Sequence, residues 1–219
     1  ILPFTQKDEV KQGAFLKDDK IVVKYGEDEC DIFLKELALG GKHNIYNSMA
    51  AALAAKASGI DNKTIREALA TFQPIEHRLE PVLSIKDVLY INDSKATNVD
   101  ATLKALSAFA PHTAIFLLGG NDKGTDLDEL VEACDAKCKA VVCFGAAGER
   151  FFDAFANAGV KHVRVEHMED ALDTAISMAQ PGDEVVLSPA CSSFDEFDSF
   201  EHRGKVFKQL VAFRASNAR

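Results

Sequence analysis

A run of small and hydroxylated residues, Ser188-Pro-Ala-Cys-Ser-Ser193, has a composition that suits a binding site. It follows the apolar run Glu184–Leu187 and precedes a helical pattern that begins near Phe200. In open α/β sheets, ligands bind beyond the carboxyl ends of the strands, and Pro189 fixes the backbone as it leaves the sheet. Taken alone, the segment is also compatible with an ordinary loop that ends in a helix-capping serine.

Charged residues follow other strand-like runs. Lys123 comes after Gly119-Gly120, and glycines there let the backbone turn tightly, so that the lysine presents a cation at the end of the strand. Asp93 and Lys95 are separated by a single residue just after another apolar run, and in extended backbone their side chains would point the same way. The alternative for Lys123 is a solvated loop lysine. The alternative for Asp93 and Lys95 is a surface ion pair, which would contribute little to stability.

Four separated motifs, in the same order, resemble the C-terminal part of a Mur ligase, and such a set is much harder to meet by chance than one short pattern. The resemblance covers essentially all of the chain and begins at Gly41–Asn47. Within the family, the ligases that add D-glutamate match best, because the serine-rich loop stands where a diamino-acid-adding ligase would carry an arginine-containing motif. The motifs are His77-Arg78, Asn92–Asn98, Leu117–Gly124 and Ser188–Gly204.

The resemblance implies a site for the acceptor amino acid. Lys123 would hold D-glutamate through a carboxylate, and Thr97 and Ser193 would donate hydroxyl hydrogen bonds to it. The backbone near Phe194 and Phe200 would close the pocket. A dicarboxylate needs a cation and several neutral donors, which this set of residues supplies.

The resemblance also implies contacts to a nucleotide. Arg78 would reach the ATP phosphates, which a bidentate guanidinium suits better than an ammonium does. Asp93 would contact the ribose, and Asn47 would lie near the adenine. Lys95 would be catalytic, facing the reacting acyl phosphate or the substrate carboxylate.

The implied reaction is ATP-dependent amide bond formation in peptidoglycan synthesis. ATP phosphorylates the carboxylate of UDP-N-acetylmuramoyl-L-alanine, and the amine of D-glutamate then attacks the acyl phosphate and releases phosphate. Mg²⁺ and cationic side chains would stabilise the developing charge, although no metal ligand is predicted in this chain. The implied enzyme is a cytoplasmic monomer.

The chain contains no G-x-x-x-x-G-K-[ST] loop, which cradles the ATP phosphates in this family. We therefore expect it to be the C-terminal portion of a longer ligase, without activity by itself. The alternatives are another Mur or folylpolyglutamate-type ligase and a non-catalytic α/β ligand-binding module. A dinucleotide-dependent oxidoreductase is disfavoured, because Gly145–Gly148 is too short for G-x-G-x-x-G and follows a middle strand.

Composition argues against several other classes of function. The net charge of −9 over 219 residues disfavours nucleic acid as a partner, because phosphate backbones need clustered Lys and Arg. Five cysteines without a C-x-x-C pair indicate neither a zinc site nor a disulfide framework, and Cys134 and Cys138 are predicted to be buried thiols. No apolar run approaches the roughly 20 residues that span a bilayer, which disfavours a membrane partner.

The elements that position these motifs follow from local patterns. Residues 1–40 are predicted to form short strands with polar turns, followed by helices from Asn44 to Ser58 and from Asp61 to about Phe72. The resemblance identifies residues 1–74 as the C-terminal part of a central ATP-binding domain. The predicted strands of this part are Ala14–Leu16, Ile21–Tyr25, Asp31–Leu34 and Leu37–Leu39.

Residues 75–219 alternate strands and helices, which predicts a Rossmann-like α/β domain with a mostly parallel sheet and helices on both faces. Val82–Ile85 and Val88–Ile91 are predicted to form a hairpin around Lys86-Asp87. The other predicted strands are Thr113–Leu118, Ala140–Phe144, His162–Val165 and Glu184–Leu187. The predicted helices are Asp100–Phe109, Asp126–Ala133, Gly148–Ala158, Met168–Ala179 and Phe200–Arg214.

Overall fold

A computed structural model describes residues 1–38, 42–73 and 75–217 of the chain. The chain divides into two compact units, Ile1–Pro74 and Ile75–Arg219, called here the N-terminal and C-terminal units. No helix among the described residues combines the length and the apolar character needed to cross a membrane.

The N-terminal unit is a four-stranded sheet with the order β1-β2-β3-β4 and two helices. Strands β2 to β4 form an antiparallel meander, while the short β1 pairs parallel to β2. Apolar side chains of α1 and α2 pack on the sheet, and the core includes Ile21, Met49 and Ile65. The elements are β1 (Phe4–Thr5), β2 (Gly13–Lys17), β3 (Lys20–Tyr25), β4 (Asp28–Phe33), α1 (Lys42–Ala57) and α2 (Asn62–Thr71).

The chain after β4 departs from the prediction. A 3₁₀ turn over Leu34–Glu36 ends the strand at Phe33, and Leu37 N donates to Leu34 O at 3.3 Å. The strand predicted from Leu37 is therefore wrong at Leu37 and Ala38, because their amides bond to a turn and a helix carbonyl rather than to a strand. Leu39 lies outside the described residues.

The C-terminal unit is a six-stranded sheet with the order β5-β6-β10-β7-β8-β9. All neighbouring pairs are parallel except β5 with β6, which form the predicted hairpin around Lys86-Asp87. The elements are β5 (Glu80–Ile85), β6 (Val88–Asn92), α3 (Val99–Leu106), β7 (Ala114–Gly119), α4 (Asp128–Lys137), β8 (Ala140–Phe144), α5 (Gly148–Ala154), β9 (Lys161–Arg164), α6 (Met168–Met178), β10 (Glu184–Ala190) and α7 (Phe200–Asn217).

Helices cover both faces of this sheet. Successive side chains along its central strands point to opposite faces, so these apolar strands contribute to a separate core on each face. Phe116 of β7 packs in a core with side chains of α3, α4 and α5. Its neighbour Leu117 packs in a second core with α6 and α7. The predicted α/β fold with a mostly parallel sheet is confirmed. Because helices bury both faces, the loops that follow the strands meet at the carboxyl edge of the sheet.

Candidate functional site

The loops after β6, β10 and β7 lie side by side at the carboxyl edge, because β10 pairs with β6 on one side and with β7 on the other. Asn121 N donates to Ser192 O at 2.8 Å, and Ser192 Oγ donates to Asn121 O at 3.0 Å. A Cβ placed at Gly120 would overlap the Ser192 carbonyl oxygen, so glycine permits this close approach. The β7 and β10 loops therefore form one continuous surface.

Arg203, near the start of α7, is fully buried beneath these loops. Its Nε donates to Ser94 Oγ at 2.9 Å and its Nη2 to Ser94 O at 2.9 Å. The guanidinium also donates to the carbonyl oxygens of Cys191 at 3.1 Å and Ser192 at 3.2 Å. Burial lowers the pKa of Arg203 to about 10, so it stays charged at neutral pH and links the β6 loop to the β10 loop.

Lys95 and Phe200 are brought together by the same packing. Lys95 Nζ lies 4.4 Å from the ring centroid of Phe200, within the range of a cation–π interaction. Ser94 Oγ donates to Phe200 O at 2.8 Å, which fixes the start of α7 against the β6 loop. The lysine head is thereby held at the edge of the sheet beside an aromatic face.

The backbone after β6 is not extended, so the reasoning that Asp93 and Lys95 point the same way is wrong. Ala96 N donates to Asp93 O at 2.9 Å and Thr97 N to Lys95 O at 2.9 Å, which closes a turn. Asp93 is 4% exposed, and its carboxylate accepts from Leu79 N at 3.1 Å and from Ser188 Oγ at 2.7 Å. These two donors draw the side chain inward while Lys95 stays half-buried.

Burial raises the pKa of the Asp93 carboxyl to about 6. The hydrogen bonds from Ser188 and Leu79 act in the opposite direction, as does the nearby charge of Arg78. A carboxylate with such a shifted pKa in a loop at a sheet edge is typical of functional sites.

The segment before β5 places Arg78 next to Asp93. His77 O accepts from Lys95 N at 3.0 Å, and Glu80 Oε2 accepts from His77 N at 2.9 Å. His77 and Leu79 both have positive φ, 65° and 43°, which costs of order 1–3 kcal/mol at each residue and persists only where the surroundings enforce it. The strained backbone on either side of Arg78 is consistent with a functional constraint.

The predicted acceptor residues differ in their exposure. Lys123 is exposed in the β7 loop, Thr97 is half-buried after β6, and Ser193 is buried after β10. Phe194 is 68% exposed. Asn47 lies exposed on α1, in the N-terminal unit.

A family model described as "Mur ligase, glutamate ligase domain" matches residues 77–191. The chain belongs to the Mur ligase family. The resemblance found in the motifs is therefore confirmed. The matched residues include the β6 and β7 loops and β10 up to Ala190, whereas Ser193, Phe200 and Arg203 follow them.

Relatives within the Mur ligases support a narrower comparison. The chain is 44% identical over 210 residues to a protein of Christiangramia forsetii named UDP-N-acetylmuramoylalanine–D-glutamate ligase, covering 96% of this chain and 47% of the relative. A Salinibacter ruber protein of the same name is 44% identical over 200 residues, covering 91% of this chain and 43% of the relative. The chain thus spans about half the length of the curated relatives that it matches.

Solved structures of Mur ligases share the fold. A crystal structure of MurF from Acinetobacter baumannii superposes with a TM-score of 0.68 at 15% identity, covering 95% of this chain and 46% of that one. At this identity the likeness bears on the fold alone.

The described residues of this Mur ligase chain do not fit a Mg²⁺ site. Of those residues, Glu76, His77 and Glu80 form the one group whose ligand atoms lie close enough to hold a metal, within 4.8 Å of one another. Lys208 Nζ lies 2.6 Å from Glu76 Oε1 and 2.9 Å from Glu80 Oε1. Because this one ammonium is already paired with both carboxylates, a divalent cation would have to displace it.

The sequence motifs predicted no role for Arg203, although it lies in the Ser188–Gly204 motif. The spacing of residues along α7 does indicate that Arg203 is buried. Arg203, Phe207 and Val211 are spaced by four residues and are all buried, so they share one face of α7. An arginine on the apolar face of a helix is expected to be buried with its donors paired.

Asp93→Asn is expected to stabilise the C-terminal unit by roughly 1–3 kcal/mol at neutral pH, and by much less near pH 4. The folded-state pKa of Asp93 is raised from 3.8 to about 6, so the folded unit holds this proton more tightly than the unfolded chain and loses stability as the pH rises between those values. Urea denaturation of both proteins across this pH range measures the difference.

The control for this prediction is Asp87→Asn, in the exposed hairpin turn, whose effect on the free energy of unfolding is expected to be small. If the difference between wild type and Asp93→Asn stayed constant from pH 4 to 7, the raised pKa of Asp93 would be wrong.

Proposed function

We propose that the chain is the acceptor-binding portion of an ATP-dependent ligase that joins D-glutamate to UDP-N-acetylmuramoyl-L-alanine through an acyl phosphate, in peptidoglycan synthesis. The observation that carries the proposal is the meeting of the β6, β7 and β10 loops at one sheet edge, with Thr97, Lys123 and Ser193 on them, in a chain whose relatives bear that name.

Lys123, Thr97 and Ser193 are proposed to hold D-glutamate. The Lys123 ammonium has no ion-pair partner among the residues described between 75 and 217, so it is available for a ligand carboxylate. Charge-assisted hydrogen bonds of this type are about twice as strong as neutral ones. The backbone at Phe194 and Phe200 is proposed to border the same pocket.

Arg78, Asp93 and Asn47 are proposed to contact ATP, with Arg78 at the phosphates, Asp93 at the ribose and Asn47 near the adenine. The chain contains no phosphate-binding loop, so most of the phosphate contacts are assigned to residues outside this sequence, as are the ligands of Mg²⁺. Residues 1–74 are proposed to be the C-terminal part of the central ATP-binding domain. ATP supplies the phosphoryl group that activates the acyl substrate.

The chain's own contribution to the reaction is then positioning and electrostatics. Lys123 and the hydroxyl donors would orient the D-glutamate amine, because holding two reactants together removes much of the entropic barrier. Lys95, fixed over Phe200, would place a cation at the acyl phosphate, where negative charge develops as the amide forms and phosphate leaves. Since the reaction consumes ATP and a nucleotide-activated substrate, the proposed location is the cytoplasm. The proposed enzyme acts as a monomer.

Lys123→Ala, in the complete ligase that contains this chain, tests the proposal. We expect kcat/KM for D-glutamate to fall roughly ten- to a hundredfold, because a charge-assisted contact to a carboxylate is lost. The KM for ATP is expected to change much less, since the nucleotide contacts are assigned to other residues. Steady-state kinetics with each substrate varied in turn measures both effects.

Lys104→Ala is the matched control, because Lys104 is an exposed lysine on α3. It should leave both kinetic parameters unchanged. The proposed acceptor role of Lys123 is refuted if Lys123→Ala leaves kcat/KM for D-glutamate unchanged or alters the KM for ATP alone.

A further inference from the structure

The Lys123 loop is fastened at both ends by one arginine. Arg150, in the first turn of α5, donates from Nη1 to Asp122 Oδ2 at 2.6 Å and from Nη2 to Thr125 O at 2.6 Å. Asp122 directly precedes Lys123, and Thr125 follows it after Gly124. The guanidinium thus bridges the two ends of the exposed turn that carries the lysine.

This fastening matters because the loop has little else to order it. Lys123, Gly124 and Thr125 are exposed, and an exposed loop with few buried contacts opens at low free-energy cost. Gly124 has a φ of 71°, a conformation that other residues rarely adopt. A planar guanidinium with two simultaneous hydrogen bonds restrains such a turn better than one point contact would.

The same segment, residues 145–150, also holds the loop that carries Ser193. Ala146 N donates to Asp195 Oδ2 at 3.0 Å, and a Cβ placed at Gly145 would overlap that carboxylate. Ala147 N donates to Gly120 O at 2.9 Å. The turn after β8 therefore contacts both the β7 loop and the β10 loop.

We propose that Arg150 is a positioning residue for the acceptor site: the segment 145–150 sets the separation between Lys123 and Ser193, and Arg150 fixes the Lys123 side. This inference rests on the proposed function, in which those two residues bind the dicarboxylate acceptor. Arg150 itself does not touch the substrate and acts through the Asp122–Thr125 turn.

The test uses Arg150→Met, Lys123→Ala and the double variant in the complete ligase. We expect Arg150→Met to raise the KM for D-glutamate roughly tenfold, with the KM for ATP unchanged, because a charged contact is misplaced rather than removed. In the Lys123→Ala background the same substitution should change that KM less than about twofold, since residues that act through one contact are not additive.

Two further variants separate positioning from general damage. Arg150→Lys should restore part of the D-glutamate KM, because an ammonium can reach Asp122 without also bonding the Thr125 carbonyl. Arg164→Met, at an exposed arginine on β9 whose nearest carboxylate, Glu149, is 3.9 Å away, is the matched control and should have no effect. Hydrogen exchange of the backbone amides of residues 122–126 should quicken in Arg150→Met and not in Arg164→Met.

Each outcome discriminates between the two proposals. If Lys123→Ala leaves the D-glutamate KM unchanged, the proposed function fails whatever Arg150 does. If Lys123→Ala raises that KM but Arg150→Met does not, or if their effects multiply in the double variant, the positioning role is overturned. Should Arg150→Met not fold, Asp122→Asn removes the same ion pair from the loop side and is expected to give the same non-additive result.

Discussion

Arg203→Met is expected to destabilise the C-terminal unit by about 3–5 kcal/mol, a loss typical of breaking a buried polar network. The substitution removes the donors for Ser94 Oγ and for the carbonyl oxygens of Ser94, Cys191 and Ser192. Those acceptors belong to buried residues, so each would lose a partner that water does not readily replace. The cost of burying the guanidinium, which is relieved in the variant, offsets part of the loss.

Guanidinium chloride denaturation of the 219-residue chain measures this loss, with Arg214→Met as the control. Arg214 lies on the same helix, but its partners Asp173 and Glu169 are exposed, so its removal should cost about 1 kcal/mol or less. Arg203→Lys should fall between wild type and Arg203→Met, because it retains the charge without the fork of donors. If Arg203→Met and Arg214→Met lowered the free energy of unfolding equally, Arg203 would not be what links the β6 loop to the β10 loop.

Gly120→Ala is expected to cost roughly 3–5 kcal/mol, through steric overlap and backbone strain together. Gly120 has a φ of 127°, and an added Cβ would overlap the Ser192 carbonyl oxygen and lie 3.1 Å from Cys191 Cβ. Relief of the overlap requires the β7 and β10 loops to separate, because the obstructing atom belongs to the backbone. Equilibrium denaturation gives the free energy, and the NMR signals of Asn121 and Ser192 report the lost hydrogen bonds.

Gly124→Ala separates the two causes of that loss. Gly124 also has a positive φ, 71°, but an added Cβ would meet nothing within 4 Å. This variant therefore carries conformational strain alone and should cost about 1 kcal/mol. If it destabilised the chain as much as Gly120→Ala, close approach of the two loops would not be the reason for glycine at position 120.

Local patterns in the sequence sufficed for much of the C-terminal unit. The apolar runs of β7 and β8 predicted buried strands, because a strand covered on both faces needs apolar side chains throughout. Alternation with helical segments then predicted a parallel sheet. The motif residues Lys123 and Ser193 were placed at strand ends by the same reasoning, since the glycines and small residues around them break the periodicity.

Short or irregular segments were not predictable in this way. The strand β1 has only two residues, too few to show any alternation, and it is placed by pairing with β2. The turn after Phe33 and the turn after Asp93 also escaped prediction. Each is closed by local hydrogen bonds, but each is also held by a partner distant in sequence. Ala38 bonds to Leu69, and Asp93 to Ser188.

The sequence by itself determined the types of residue that occupy the site and the strand ends that carry them, because both follow from short-range spacing. Only the tertiary structure decided which of those ends are neighbours. The last strand, β10, inserts between β6 and β7, and this order depends on long-range pairing and on how helices cover the two faces. Arg203 and Arg150 acquire their roles only from that order, since each bonds to loops that meet because β10 lies in the middle of the sheet.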